Sequence, residues 1–349
     1  MAESDVAVAP LQPAQLTRRM IIGLGLAAPT LAVPWLAGCS SGGPETDTPA
    51  STASSASESS PAVGPAPTPG PTASRSDPSA IGTASEQALG ALAAAVLIGP
   101  QRKQLSKDRR NLLTFLRNAH SAHARAITNP LPSQAPVNLG GRSLNSALSM
   151  LARRETAAAG RYRRTALQAA GSDSLLWGSL AVASDSFATA IGAANPPRAR
   201  PITDQKPVEI LSEVAAVQEL VRQLHALVYG YQLAIGKMKV LSRQRSKAEH
   251  ELLNQRIFRD RLIAWLRRRS AEVPAAEAAY VPSVVPRSPA TAGKLIMEMQ
   301  TALQPFCGLW LAAAGGQANR QQALSAVAAA GKTARSWGAP LTAWPGWSS

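Results

Sequence analysis

PVEILSEVAAVQELVRQLHALVYGYQLAIGKMKVL, residues 207–241, carries apolar side chains at Ile210, Val214, Val217, Val221, Leu224, Val228, Tyr231, Ile235 and Met238. Steps of three and four residues draw one apolar stripe down a helix. At 1.5 Å per residue that helix would run about 50 Å, and a helix of this kind needs neighbours of similar length. The stretch predicts a helical bundle.

The same periodicity recurs on both sides. Downstream it predicts helices over about 244–270, 291–314 and 318–336, with a Pro-containing loop at 273–289 and Gly315-Gly316 between the last two. Upstream, Thr83-Ala84-Ser85-Glu86 reads as a capping box ahead of Leu89, Leu92 and Val96. A second helix, about 105–127, has its stripe at Leu112, Leu116, His120, His123 and Ile127. After a Pro- and Gly-rich loop, a third covers 143–170 through Leu144, Leu148, Leu151, Glu155, Ala158, Tyr162 and Ala166. Gly171 breaks it, and a fourth runs over 174–193. Each half has a short, a long and a short connection, as in a four-helix set whose second and third helices are parallel. The expected fold is all-α, with two tandem ferritin-like four-helix bundles at 83–195 and 205–347 and a proline-rich boundary near 195–201.

Aromatics make up 4% of the 349 residues, and Ala and Leu dominate the apolar set, a composition that suits helices. The net charge of +15 is spread over both halves: residues 84–203 hold 15 Lys/Arg against 5 Asp/Glu, and residues 204–349 hold 18 against 10. Such a balance suits work near an anionic surface, either anionic lipid or cell-wall polymer. The basic clusters, such as Arg102 to Arg110 and Arg267-Arg268-Arg269, lack the interleaved aromatics that nucleic-acid binding would want, so nucleic acid is not expected as a partner.

Residues 1–38 read as an export signal. Arg18-Arg19 is a twin-arginine pair, and the apolar run from Ile21 to Ala37, broken by Pro29 and Pro34, is short for a membrane span. Leu36-Ala37-Gly38-Cys39 looks like a bacterial lipobox, in which Cys39 takes a diacylglyceryl group. The expected location is the outer face of the cytoplasmic membrane, with the lipid on Cys39 as anchor. Residues 39–82, rich in Ser, Thr, Pro, Ala and Gly, cannot bury enough apolar surface to offset their ordering entropy and read as a disordered tether.

At Leu224-His225-Ala226-Leu227-Val228-Tyr229-Gly230-Tyr231 the chain resembles a ferritin-like domain of unknown function found in exported lipoproteins of high-GC Gram-positive bacteria. Phe258-Arg259-Asp260, Ala279-Tyr280-Val281-Pro282 and Ala334-Arg335-Ser336-Trp337-Gly338 extend the resemblance over about 207–347. The first half is similar to its companion region through Leu116 to His123 and Ser179 to Asp185. The resemblance implies carboxylates and Glu-x-x-His pairs in the bundle core. The chain departs from it at Leu224, where relatives carry Glu, at Gln255, where they carry His, and near Gln300 and Thr301, where they carry acids. These are degenerate metal positions, and Pro305 is expected to interrupt its helix.

The first half keeps more polar chemistry. His120 and His123, three residues apart, share the helical face of Leu116 and Ile127. Glu155 sits in the middle of an apolar stripe, where a carboxylate needs a cation, a histidine or a metal. Asp185 and Glu86 could complete a set able to bind iron or another divalent metal. The competing reading is a satisfied polar core, with Glu86 capping Thr83, Asp185 solvated and Glu155 paired to a neighbour. Cys307 reads as a buried apolar residue, and Trp337, Trp344 and Trp347 as a cover for the end of the bundle. No catalytic residue is assigned.

The function expected first is non-enzymatic binding or scaffolding by a tethered envelope protein without a cofactor. The alternative is metal-binding or oxidase-like activity in the first half. A third reading is recognition of an anionic polymer.

Overall fold

The structure, a computed structural model, describes residues 77–133 and 137–348. Arg18, Arg19, Cys39 and most of the proposed tether lie outside the described residues. Among the described residues eight α-helices follow one another: α1 (Pro78–Ile98), α2 (Lys107–Ile127), α3 (Leu144–Gln168), α4 (Gly171–Gly192), α5 (Glu213–Ile235), α6 (Arg243–Arg267), α7 (Pro289–Ala313) and α8 (Gln317–Ser336). A 3-10 turn at Pro100–Gln104 links the first two. Among the described residues there is no strand, and Ala199 and Leu341 form an isolated parallel bridge.

The helix ends follow local chemistry. α1 begins at Pro78, inside the stretch expected as tether, because the Asp77 side chain accepts from Ser79 N and Pro78 supplies a ready-made helical φ at the first position. Thr83 is therefore inside the helix and Glu86 is released from any capping role. α5 is shorter than its apolar stripe, about 35 Å, because Ser212 caps it through Ala215 N. Ile210 consequently lies outside the helix and is exposed, whereas Val217, Val221, Leu224, Val228, Tyr231 and Ile235 are buried. α7 runs through Pro305 without ending, which corrects the expected interruption; the proline forfeits one backbone hydrogen bond and the surrounding packing outweighs it.

Helices pack in the pairs α1–α2, α3–α4, α5–α6 and α7–α8, with α1 against α3, α2 against α4 and α5 against α7. α4 then lies on α7 and α8, joining the two sets over one continuous hydrophobic core. Gly178 makes that approach possible, since a Cβ there would overlap Leu311. Arg320 on α8 donates from Nε to Leu167 O at 2.9 Å, tying α8 to the end of α3. Helices α1 and α4 are long and apolar enough to cross a membrane by length and composition, but here both pack in this core.

Leu224 is fully buried at the centre of α5. Leu224→Ala is expected to cost about 2–5 kcal/mol in chemical denaturation; wild-type stability in that variant would place the stripe outside the core.

Candidate metal centre

Four side chains from three helices meet inside the first set. Glu86 comes from α1, His120 and His123 from one face of α2, and Glu155 from α3, and all four are fully buried. His120 donates from Nδ1 to Glu86 Oε2 at 2.7 Å and from Nε2 to Glu155 Oε1 at 2.7 Å. The Nδ1 atom of His123 stands 3.0 Å from the same Glu86 oxygen, and its Nε2 donates to the Ala343 carbonyl at 2.9 Å. Close helix approach allows this: Gly90 on α1 faces the His120 Cβ, which an added Cβ would meet at 3.3 Å.

Phe187 of α4 forms the apolar wall. Its ring lies edge-on to His120 at 5.7 Å and parallel to His123 at 6.2 Å. Trp344 meets His123 edge-on, with ring centroids 4.5 Å apart. In this dry setting unpaired charge is expensive, so the electrostatics are strongly coupled. Burial would raise the Glu86 carboxyl, but the charges of His123 and His120, with hydrogen bonds from both rings, hold it well below the usual carboxylate range. Burial would likewise depress His120, but Glu155 and Glu86 outweigh it and hold the ring up at about 10.

Glu86 Oε1, Glu155 Oε2, the Tyr162 hydroxyl and Trp344 Nε1 have no hydrogen bond of good geometry among the described residues, although Tyr162 stands close enough to Glu86 and Ser85 for both to act on its phenol. Tyr162 lies on the Glu155 face of α3, and its phenol is pushed up by burial and then by the Glu86 carboxylate, with Glu155 adding to it. Donor atoms of Glu86, His120 and His123 lie within 4.8 Å of one another, and the group could hold a metal ion. Two imidazoles with carboxylates are a donor set suited to borderline divalent ions such as iron, zinc or manganese.

Of the other expected positions, Asp185 stands apart from the cluster, nearly half exposed and paired with Arg163 at 2.8 Å. In the second set, Leu224 and Gln300 are fully buried. Gln300 donates to the Tyr231 hydroxyl at 2.9 Å, which donates in turn to Glu251 at 3.0 Å. Trp337 Nε1 donates to the same Glu251 oxygen at 2.6 Å. Gln255 keeps a buried side-chain oxygen without a partner. The chain thus satisfies this polar cluster largely with amide, phenol and indole. Cys307 is buried, and burial pushes its thiol up to about 12. Tyr162 could have been read from its place seven residues after Glu155 on one stripe. The Ala343 and Trp344 contacts had no local signal.

Comparison with known proteins places one segment. Residues 216–349 match a family described as a domain of unknown function, DUF4439. No curated protein and no solved structure matches the chain. The Glu86, His120, His123 and Glu155 cluster lies outside the matched segment, whereas Ala343 and Trp344 lie inside it.

Proposed function

We propose that the protein binds a divalent transition-metal ion in the first helix set, held by Glu86, His120 and His123, with Glu155 as the outer partner of His120 Nε2. The observation that carries this reading is the pair of unpartnered carboxylate oxygens, Glu86 Oε1 and Glu155 Oε2, in a fully buried cluster with two histidines. Each orphaned buried oxygen costs about 1–3 kcal/mol or more, and here both are carboxylate oxygens beside two imidazoles. A bound divalent ion would supply a compact positive charge to those oxygens. The residues do the rest: Glu155 orients the His120 ring through Nε2, and Phe187 and Trp344 pack against the imidazoles.

The reading extends to architecture and address. The pairs α1–α2, α3–α4, α1–α3 and α2–α4 support reading the first set as a ferritin-like four-helix bundle with a long crossover. The second set repeats the pairs α5–α6, α7–α8 and α5–α7. The Arg18-Arg19 pair and the sequence ending at Cys39 support export and lipid anchoring, with the basic helix faces toward an anionic envelope.

The test is elemental analysis of the full chain, prepared without chelators. One divalent ion per chain is expected, falling below about a tenth in His120→Ala and His123→Ala variants, a loss of more than 1.4 kcal/mol per site residue. A wild-type protein that neither carries nor takes up iron, zinc, manganese or cobalt would overturn the reading in favour of a metal-free scaffold.

A further inference from the structure

The centre is closed by a segment more than two hundred residues away in sequence. Beyond α8 the chain turns at Gly338 (φ 96°) and crosses to the first set as a tail described as far as Ser348. Leu341 N donates to Arg198 O and Arg200 N to Leu341 O, both at 2.8 Å, so the tail is stitched to the connection between the two sets. Farther on, the Gly346 backbone lies so close to Gly308 of α7 that a Cβ on Gly308 would overlap the Gly346 carbonyl oxygen. Between these two anchors the Ala343 carbonyl accepts from His123 Nε2, and the Trp344 ring covers the imidazole.

A carbonyl oxygen can only accept, so this bond keeps a proton on Nε2, and Nδ1, which faces Glu86, is the nitrogen that a metal could take up by displacing its proton. We propose that the C-terminal tail is the positioning element of the metal centre: Ala343 selects Nδ1 of His123 as the ligating atom, and Trp344 holds the ring and seals it. This rests on the metal-binding reading and assigns a role to the end of the DUF4439 segment. The matched domain completes a site whose ligands lie outside it. Outer partners of this kind fix ligand tautomer and orientation.

The test uses the full chain with three variants: removal of residues 340–349, Gly308→Ala, which blocks docking, and the milder Trp344→Leu. Cobalt(II) serves as probe, read by its visible ligand-field spectrum and by its release to a chelator. Diethyl pyrocarbonate modification of His123 in metal-free protein, resolved by peptide mass spectrometry, gives a metal-independent readout, with exposed His250 as internal standard. Expected results are cobalt affinity weakened about 10- to 100-fold, an altered spectrum, and His123 reactive only in the variants. If truncation unfolds the chain, Trp344→Leu and Gly308→Ala decide. Unchanged spectrum, release and His123 protection in those folded variants would overturn the proposal. Wild-type protein that takes up no cobalt would remove the metal reading, and His123 protection alone would then decide whether the tail is a seal.

Discussion

Glu86→Ala is expected to be among the most damaging single substitutions in the chain. Glu86 Oε2 is the shared partner of His120 Nδ1 and His123 Nδ1, and all three side chains are fully buried. Removing one partner of a buried charged pair costs about 3–5 kcal/mol; here the loss strips His123 Nδ1 of its acceptor and leaves His120 with Glu155 alone. Chemical denaturation should show that loss, and metal content should fall with it. A second variant separates charge from shape. Replacing Glu86, His120, His123 and Glu155 together by apolar residues of similar volume should recover much of the stability, since exchanging a whole buried polar group for hydrocarbon is often neutral. The combined variant should still bind no metal. Near-wild-type stability in Glu86→Ala alone would show that the cluster is solvated or uncharged, contrary to the geometry.

The second large effect is an opposite response to pH in metal-free and metal-bound protein. His120 is raised from its ordinary 6.5 to about 10 by the carboxylates around it, against the opposing effect of burial. The folded state therefore holds this proton more tightly than the unfolded state. The stabilisation is fully present below pH 6.5 and is lost as pH rises toward 10. Glu86 is depressed below its ordinary 4.5, so its contribution is present above pH 4.5 and is lost as pH falls toward its folded value. Metal-free protein should be most stable between these limits and weaken on the alkaline side. A metal needs a free nitrogen lone pair, so binding must displace at least one proton from His120, and affinity should rise by about tenfold per pH unit on the way up. Thermal unfolding with and without zinc, from pH 5 to 9, should give curves that diverge as pH increases. Parallel curves would mean that His120 carries no proton for the metal to displace.

How much of this was legible in sequence depends on distance along the chain. The stripe through Val217, Val221, Leu224 and Val228 was readable because helical periodicity is local, and so was the shared face of His120 and His123. Glu155 announced itself as a carboxylate among apolar neighbours. Glu86 was harder, because Thr83-Ala84-Ser85-Glu86 has the form of a helix start; Asp77-Pro78 is the real one, and the false cap gave the residue a surface role. Asp185 looked like a fourth ligand from its type, but its position on α4 turns it outward to Arg163. Pro305 looked like a break within its helix because propensity weighs it in isolation, whereas α7 is held by packing along most of its length. The hydrogen bond from His123 to Ala343 spans 220 residues, and no periodicity or cap encodes contacts at that range.

That span also sets an order of assembly. The residues proposed to bind lie between positions 86 and 155, and would leave a ribosome well before the segment that packs on them. Contacts of such separation close late, because the intervening chain must be ordered first. A growing polypeptide would therefore display an open cluster until Ala343 and Trp344 had folded back onto His123.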